Sequence, residues 1–151
     1  MIRTAVAGDL KNITDLAREY WMASPYGEHY GFDWDTTLNF IRTAVIRPEA
    51  EVAVFTHEGA IRGFAIALLA PLCFSQGVKA SVEFVYIQSP LSRQDNYIAI
   101  LDYMADWAQR WHAQELMIGD YTPINTTANM LYQEQGFHYL GQVLTRRLHN
   151  D

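Results

Sequence analysis

Aromatic and acidic residues are interspersed between residues 20 and 35, and these two residue types together can recognise a cationic or planar molecule. The aromatic members are Tyr20, Trp21, Tyr26, Tyr30, Phe32 and Trp34, and the acidic members are Glu28, Asp33 and Asp35. An aromatic face attracts a cation through its quadrupole, and a carboxylate pairs with it directly. We therefore predict that Tyr26, Tyr30 and Trp34 bind a substrate. The same composition equally suits a loop that covers the core or forms a homodimer interface.

A second set of regularly spaced residues lies near the C-terminus, from Asn125 to Phe137. Within it, Ala128, Leu131 and Tyr132 recur at i, i+3 and i+4, which predicts one face of a helix beginning around residues 123–126. Gly136 can adopt the left-handed conformation that ends a helix, and Phe137 can fold back as the apolar contact. We expect a strand to follow through residues 140–148. Taken alone, Tyr132 also fits a packing residue whose hydroxyl meets a backbone carbonyl.

The elements that must position these residues can be read from hydrophobic periodicity and turn residues. We predict strands at 2–6, 51–56, 60–69, 81–87 and 116–119, and helices starting at Leu10 and covering 37–45 and 96–112. Gly8 and Asp9 read as the turn and N-cap of the first helix. The order predicts a mixed α/β fold (α+β mixed sheet), with about six to seven strands and about four helices. Two strands can form a parallel pair around the long helix.

Composition limits the classes of function that are available. The 151 residues suit one domain, and the formal net charge of −6 disfavours nucleic acid as a partner. The longest apolar run is broken by Pro71, so we expect no membrane span and a cytoplasmic protein. Cys73 is the only cysteine, and we expect it to be a small buried residue. The five histidines form no close pair at ligand spacing, so no metal site is predicted.

The spacing of Asn125, Ala128, Leu131, Tyr132, Gly136 and Phe137, together with the order of elements, resembles the GNAT superfamily of acyl-CoA N-acyltransferases. The resemblance extends over essentially the whole chain and implies a GNAT-like fold with acetyl-CoA as co-substrate. In that family the matching helix lies beside the thiol end of acetyl-CoA. The resemblance therefore implies that Asn125 binds the cofactor and that Tyr132 acts as the acid toward the departing thiolate.

The same resemblance implies a catalytic base in the strand 81–87. A glutamate near this point often removes the proton of the attacking amine, which here indicates Glu83. Strict alternation would place Glu83 on the face opposite Val82 and Phe84, with Ser81 and Val85. Without the resemblance, Glu83 reads as an ordinary solvent-facing strand residue.

The resemblance also implies a pyrophosphate site where this strand leads into the long helix. The backbone of Ile87, Gln88 and Ser89 would position acetyl-CoA, and the turn formed by Arg93, Gln94, Asp95, Asn96, Tyr97 and Ile98 would receive the pyrophosphate. The family has a glycine at the position of Asn96 and a small residue at that of Ile98, because side chains there hold phosphates away from the backbone N–H groups. Asp95 adds a like charge. These departures count against tight binding and leave the fold untouched.

The function implied is transfer of an acetyl group from acetyl-CoA to a primary amine, which could belong to a small molecule or a protein. Two other interpretations stay open on the residues. One is a GNAT-like domain that has lost the cofactor and acts as a protein-interaction or regulatory module, which the altered turn and the aromatic loop favour. The other is a sensor that uses the cleft for a different small ligand.

Overall fold

A computed structural model describes residues 1–119, 131–138, 140, 141 and 143–148. The helices are α1 (Leu10–Ala23), α2 (Trp34–Ile46), α3 (Gln94–Arg110) and the helical residues 131–134, which we call α4. The strands are β1 (Ile2–Thr4), β2 (Ala50–His57), β3 (Ala60–Pro71), β4 (Val78–Ile87) and β5 (Leu116–Ile118). A 3-10 turn at Ala7–Asp9 leads into α1. The predicted order of elements is confirmed from β1 to β5.

The strands form one mixed sheet in the order β1-β2-β3-β4-β5. Neighbours from β1 to β4 are antiparallel, and β4 pairs with β5 in parallel, as expected for strands joined by the crossover helix α3. The prediction of six to seven strands was slightly high, because the described part of the chain contains five. The expected strand at 140–148 is absent from its described residues. Leu140, Val143, Leu144 and Leu148 are exposed there, so no buried face fixes a strand register.

Helices cover both faces of the sheet because residues of each strand alternate between the two sides. On one face, α1 and α2 pack on a cluster that includes Val52, Val54 and Phe64. On the other, α3 packs on a cluster that includes Ala53 and Ala65. The small side chains on the α3 face let a long helix with Ile100, Met104 and Trp107 lie close to the sheet.

The β2–β3 hairpin turns through Glu58 and Gly59, whose φ values are 51° and 77°. Two consecutive positive φ values are typical of the tight hairpin turn whose twist matches that of the strands. The predicted hairpin is confirmed.

Asp9 precedes α1 as predicted, but the expected side-chain cap is wrong. Its carboxylate accepts the Val6 N–H at 2.8 Å and forms an ion pair with Arg3, with its Oδ2 2.7 Å from Arg3 Nη1. The Arg3 guanidinium is the main reason that the pKa of Asp9 is lowered. Asp9 therefore ties β1 to the start of α1, since its side chain turns away from the helix.

The expectation that Cys73 is buried was wrong. β3 ends at Pro71, so Cys73 and Phe74 fall on the following turn and are exposed. Within the described residues, none of the helices combines the length and apolar character that a bilayer crossing requires.

Candidate active site

A cleft opens where β4 and β5 stop pairing. Their register ends with Val82 opposite Ile118, and the Gly119 N–H reaches the Val82 carbonyl at 3.4 Å. β4 continues to Ile87 along β3, so its last five residues have no strand on the β5 side within the described chain. Backbone N–H and C=O groups on an edge that lacks a strand partner, as this one does within the described residues, can bind a ligand. Glu83 is the first residue of the unpaired stretch.

Glu83 also lies at an irregularity of β4. The β3 register pairs Ile66 with Phe84 and Ala67 with Val82, so Glu83 is an extra residue without an opposite partner. Such a bulge re-phases the strand and redirects a side chain. Val82 belongs to the buried cluster on which α3 packs, which we call the α3-side cluster. Phe84 packs against the cluster on the other face of the sheet, beneath α1 and α2. The expectation that Val82 and Phe84 share a face was therefore wrong, because it assumed strict alternation.

Glu83 and Tyr132 line the same cavity, which we call the α3-side cavity. It is an open cleft of about 900 Å³ between α3, β5 and residues near the C-terminus. Leu101, Asp102 and Ala105 of α3 form one wall. The two residues predicted to be catalytic, which are far apart in the sequence, therefore both line this cavity.

The end of α4 positions Tyr132. Gly136 has a φ of 88°, its N–H donates to the Gln133 carbonyl at 3.0 Å, and the Phe137 N–H donates to the Tyr132 carbonyl at 3.0 Å. This pair of bonds is the Schellman arrangement that closes a helix. The Phe137 ring contacts the Tyr132 ring edge to face, with centroids 6.1 Å apart. The predicted helix end is confirmed, whereas the predicted start and Asn125 lie outside the described residues.

The turn predicted to receive pyrophosphate leads directly into α3. Arg93 is the N-cap residue and makes no side-chain cap, and Gln94 and Asp95 are exposed in the first turn. The leading N–H groups of a helix have no partner within the helix and can bind an anion. The Asn96 side-chain amide donates to the Leu91 carbonyl at 2.7 Å, so it braces the turn from inside.

Tyr97 and Ile98 are half-buried on two sides of α3. Tyr97 packs against the α3-side cluster. Ile98 lies one turn before Asp102, on the helical stripe that Asp102 and Ala105 continue along the α3-side cavity. Along the helix, Ile98 therefore lies between the first turn of α3 and the part of α3 that lines the cavity.

The residues between β4 and α3 include a polar network that the sequence did not reveal. Ile87 is buried, Ser89 is exposed, and the Ser89–Pro90 peptide bond is cis. The Gln88 side-chain amide donates to Glu19 Oε1 at 3.0 Å, and the Tyr86 hydroxyl donates to Glu19 Oε2 at 2.9 Å. Burial, followed by the neighbouring Glu19 carboxylate, raises the pKa of Tyr86 to about 12.

Glu19 was missed because it lies on the exposed side of α1, where a carboxylate is the ordinary residue. The signal that could have found it is its place one residue before the aromatic segment. The network joins the C-terminal end of α1 to the end of β4.

The three aromatic residues predicted to bind a substrate lie in or beside the α1–α2 loop. Tyr26 stacks on Trp21, with centroids 5.3 Å apart, and lies 6.2 Å from the Tyr30 ring. The Trp21 indole N–H donates to the Tyr30 carbonyl at 3.0 Å. Trp34 is half-buried as the first residue of α2. These contacts make the loop a packed aromatic unit.

Beneath that unit is a second cavity, of about 350 Å³, which we call the α1/α2 cavity. Its aromatic lining consists of Tyr20, Trp21, Phe32, Phe40, Phe64 and Phe84. Tyr26, Tyr30 and Trp34 do not line it, and their role in substrate binding stays a prediction. No cluster of three metal-ligating His, Cys, Asp or Glu residues occurs in the described ranges.

No protein-family model and no curated protein matches the sequence. Solved structures do match it in three dimensions. A probable acetyltransferase superposes with a TM-score of 0.81 at 15% identity, covering 100% of this chain and 99% of that protein. An aminoglycoside N-acetyltransferase, AAC(6')-Iy, in complex with CoA gives 0.79 at 16% identity, covering 98% and 93%. A transcriptional regulator from Bacillus halodurans C-125 gives 0.80 at 15%, covering 98% and 99%.

At these identities the likeness concerns architecture. It covers almost the full length of both partners in each comparison. The parallel β4–β5 pair and its crossover helix α3 were expected from the order of elements alone. The protein therefore has the GNAT fold, as the motif between Asn125 and Phe137 indicated.

Proposed function

We propose that the protein is an N-acetyltransferase that transfers an acetyl group from acetyl-CoA to a primary amine by direct attack. The observation that carries the proposal is that Glu83 and Tyr132 line one cavity at the point where β4 and β5 diverge. Several similar structures are acetyltransferases, and one of them is a complex with CoA.

The two residues have complementary roles in this reaction. An alkylammonium has a pKa of about 10, so it must lose a proton before it can attack. Glu83 accepts that proton directly or through a water molecule. The amine nitrogen then bonds to the thioester carbon, the carbon–sulfur bond breaks, and Tyr132 donates its hydroxyl proton to the thiolate. The second amine proton passes to the Tyr132 phenolate and restores its hydroxyl, Glu83 releases its proton to solvent, and the products are the acetamide and CoA.

The residues at the start of α3 suit a pyrophosphate in one respect and oppose it in another. Gln94 and Asp95 lie in the first turn of α3, where backbone N–H groups have no partner within the helix and can bind an anion. We propose that the backbone of residues 87–89 contacts the cofactor as well. The Asp95 carboxylate lies in the same first turn, and its negative charge repels that anion. Asn125, the first residue of the C-terminal motif, is proposed to contact the cofactor as well.

Binding should be measured first, by isothermal titration of acetyl-CoA into the natural chain and into Ile98→Gly. Micromolar binding by the natural chain would support the proposed site. Binding by the glycine variant alone would show that Ile98 blocks the route, and the natural chain would not be an enzyme. Thiol release with a panel of amines then tests turnover.

Glu83→Gln should lower kcat by about 10²- to 10⁴-fold, because the amide cannot accept the ammonium proton. Tyr132→Phe should lower it by a smaller factor, since water can protonate a thiolate. Both variants should bind acetyl-CoA as the natural chain does. Glu115→Gln, which changes another carboxylate lining the same cavity, is the matched control and should retain activity. Equal losses in Glu83→Gln and Glu115→Gln would contradict a base role for Glu83.

A protein-interaction or regulatory module is the alternative function. It is favoured by the negative charge of Asp95 in the first turn of α3 and by the packed aromatic loop between α1 and α2. One similar structure is a transcriptional regulator. Failure of acetyl-CoA both to bind and to turn over would support this alternative. Cys73 is an exposed free thiol, which suits a reducing compartment, so we propose that either function is exercised in the cytoplasm.

A further inference from the structure

The α1/α2 cavity has the size and lining of a small-molecule pocket. Its volume of about 350 Å³ lies within the range of roughly 300–1,000 Å³ that is usual for such pockets. Most of its wall is aromatic or aliphatic. Phe40 lines it and is 42% exposed, so the cavity opens to solvent beside this ring.

Tyr20 connects this cavity to the Glu19 carboxylate. Its ring meets Phe84, a cavity residue, with centroids 5.8 Å apart, and meets Tyr86 with centroids 6.3 Å apart. Phe84 and Tyr86 are two residues apart on one face of β4, a spacing of about 7 Å. Tyr86 in turn donates its hydroxyl hydrogen bond to Glu19. The Glu19 carboxylate is therefore linked to the wall of the cavity through the Tyr86 and Tyr20 side chains.

Glu19 can accept further hydrogen bonds. Its carboxylate receives one from Tyr86 and a shared one from Gln88, and an ionised carboxylate accepts about four. Among the described residues no Lys, Arg or His forms an ion pair with it. The ammonium group of a ligand would supply hydrogen-bond donors and a positive charge to the Glu19 carboxylate.

Two charged groups beside the α1–α2 loop set the orientation of such a ligand. The Arg18 guanidinium lies 5.7 Å from the centre of the Phe32 ring, which lines the cavity. Asp33 also lines it, but its carboxylate accepts the Thr36 N–H at 2.8 Å as the cap of α2, where the helix N-terminus offsets its charge. A cation is therefore favoured at the Glu19 end.

We propose that the acceptor amine carries an aromatic group, which occupies the α1/α2 cavity, while Glu19 binds the ammonium. This inference rests on the proposed acetyl transfer and names its substrate class. The ammonium then lies beside Tyr86 and Gln88, at the end of the β4 segment that has no β5 neighbour in the described chain. Glu19 is a binding residue in this assignment, and the Tyr86 and Gln88 side chains hold its carboxylate in place.

The test is binding of three probes, 2-phenylethylamine, 2-phenylethanol and ethanolamine, measured by calorimetry with and without CoA. We expect 2-phenylethylamine to bind at least about tenfold more tightly than ethanolamine, because burying the ring contributes more than 1.4 kcal/mol. Glu19→Gln should weaken the amine about three- to fivefold and leave the alcohol unchanged. Asp33→Asn should not reproduce this selective loss, and if it alone did so the assignment of Glu19 would be overturned.

Two variants test the cavity itself. Ala17→Leu fills it from α1, and Ala23→Leu places the same side chain on an exposed position of the same helix as the matched control. Gly31→Phe blocks it from the loop, where an added Cβ would meet no atom within 4 Å, so folding should be preserved. Both blocking variants should lose 2-phenylethylamine, and the control should keep it.

The outcomes separate this proposal from the proposed reaction. Binding of the aromatic amine without turnover of acetyl-CoA would support the aromatic pocket and contradict the proposed transferase activity. Turnover of ethanolamine would support the transferase activity. If both amines then bound equally, or if Gly31→Phe bound 2-phenylethylamine as the natural chain does, the aromatic pocket would be overturned.

Discussion

At the scale of single residues, the pKa of Tyr86 reports on the contact between α1 and β4. Tyr86 is half-buried, and its hydroxyl donates to the Glu19 carboxylate. Loss of its proton would place two negative groups side by side in a partly desolvated position. For this reason the neutral phenol is favoured, and the contact between the two elements depends on its proton.

We predict that Tyr86 titrates near pH 12, since burial and then Glu19 raise its pKa from 10.0. A raised folded-state pKa means that the native state holds the proton more tightly than the unfolded state. The stabilising contribution of Tyr86 is therefore complete below about pH 10 and is lost as the pH rises through 12. Absorbance of tyrosinate against pH, for the natural chain and Tyr86→Phe, gives the difference curve. A difference curve centred near pH 10 would contradict the prediction.

At the scale of elements, the ends of β4 and α4 depend on two glycines. Gly63 pairs with Ile87 at the end of β4, and Gly136 ends α4. Gly63 allows β3 and β4 to approach closely, and Gly136 adopts a left-handed backbone conformation. Each glycine positions a residue that we place in or beside the site.

Gly63→Ala should lower the free energy of unfolding by about 1–3 kcal/mol, because the added methyl must displace a neighbour in a packed sheet. The new Cβ would lie 2.8 Å from the Tyr86 carbonyl oxygen and 3.0 Å from Ile87 Cγ1. Urea denaturation measures the change. Gly8→Ala, where no atom lies within 4 Å of the added Cβ, is the control and should change stability little.

Gly136→Ala should lower the free energy of unfolding by about 1–2 kcal/mol, the cost of a left-handed conformation for a residue with a Cβ. The strain arises from φ of 88° alone, because an added Cβ meets no atom within 4 Å. Urea denaturation again measures it. If Gly136→Ala were no more destabilising than Gly8→Ala, the helix end described here would be incorrect.

At the scale of the whole molecule, the sheet divides the chain into two compartments. The α3-side cavity contains Glu83 and Tyr132, and the α1/α2 cavity contains the aromatic lining. Between them, β4 has no neighbour on the β5 side beyond Val82 in the described chain. A cofactor on one face and an acceptor on the other would meet at this edge.

Acetyl-CoA should raise the melting temperature if it binds the folded chain. At a concentration one hundred times Kd it adds about 2.7 kcal/mol of stability, or roughly 5–10 °C for a chain of this size. Differential scanning fluorimetry measures the shift. S-acetyl-N-acetylcysteamine, which lacks the nucleotide, should give less, since it cannot engage the start of α3. Equal shifts with both compounds would argue against a pyrophosphate site at that helix.

By itself the sequence determined the order of elements, the hairpin at Glu58 and Gly59, and the helix end at Gly136, because turns, caps and periodicity depend on neighbouring residues. Only the tertiary structure decided where the side chains meet. The bulge at Glu83 depends on the register with β3, and the Glu19–Tyr86 contact joins residues 67 positions apart. Such contacts leave no local pattern, since register and packing are properties of the assembled sheet.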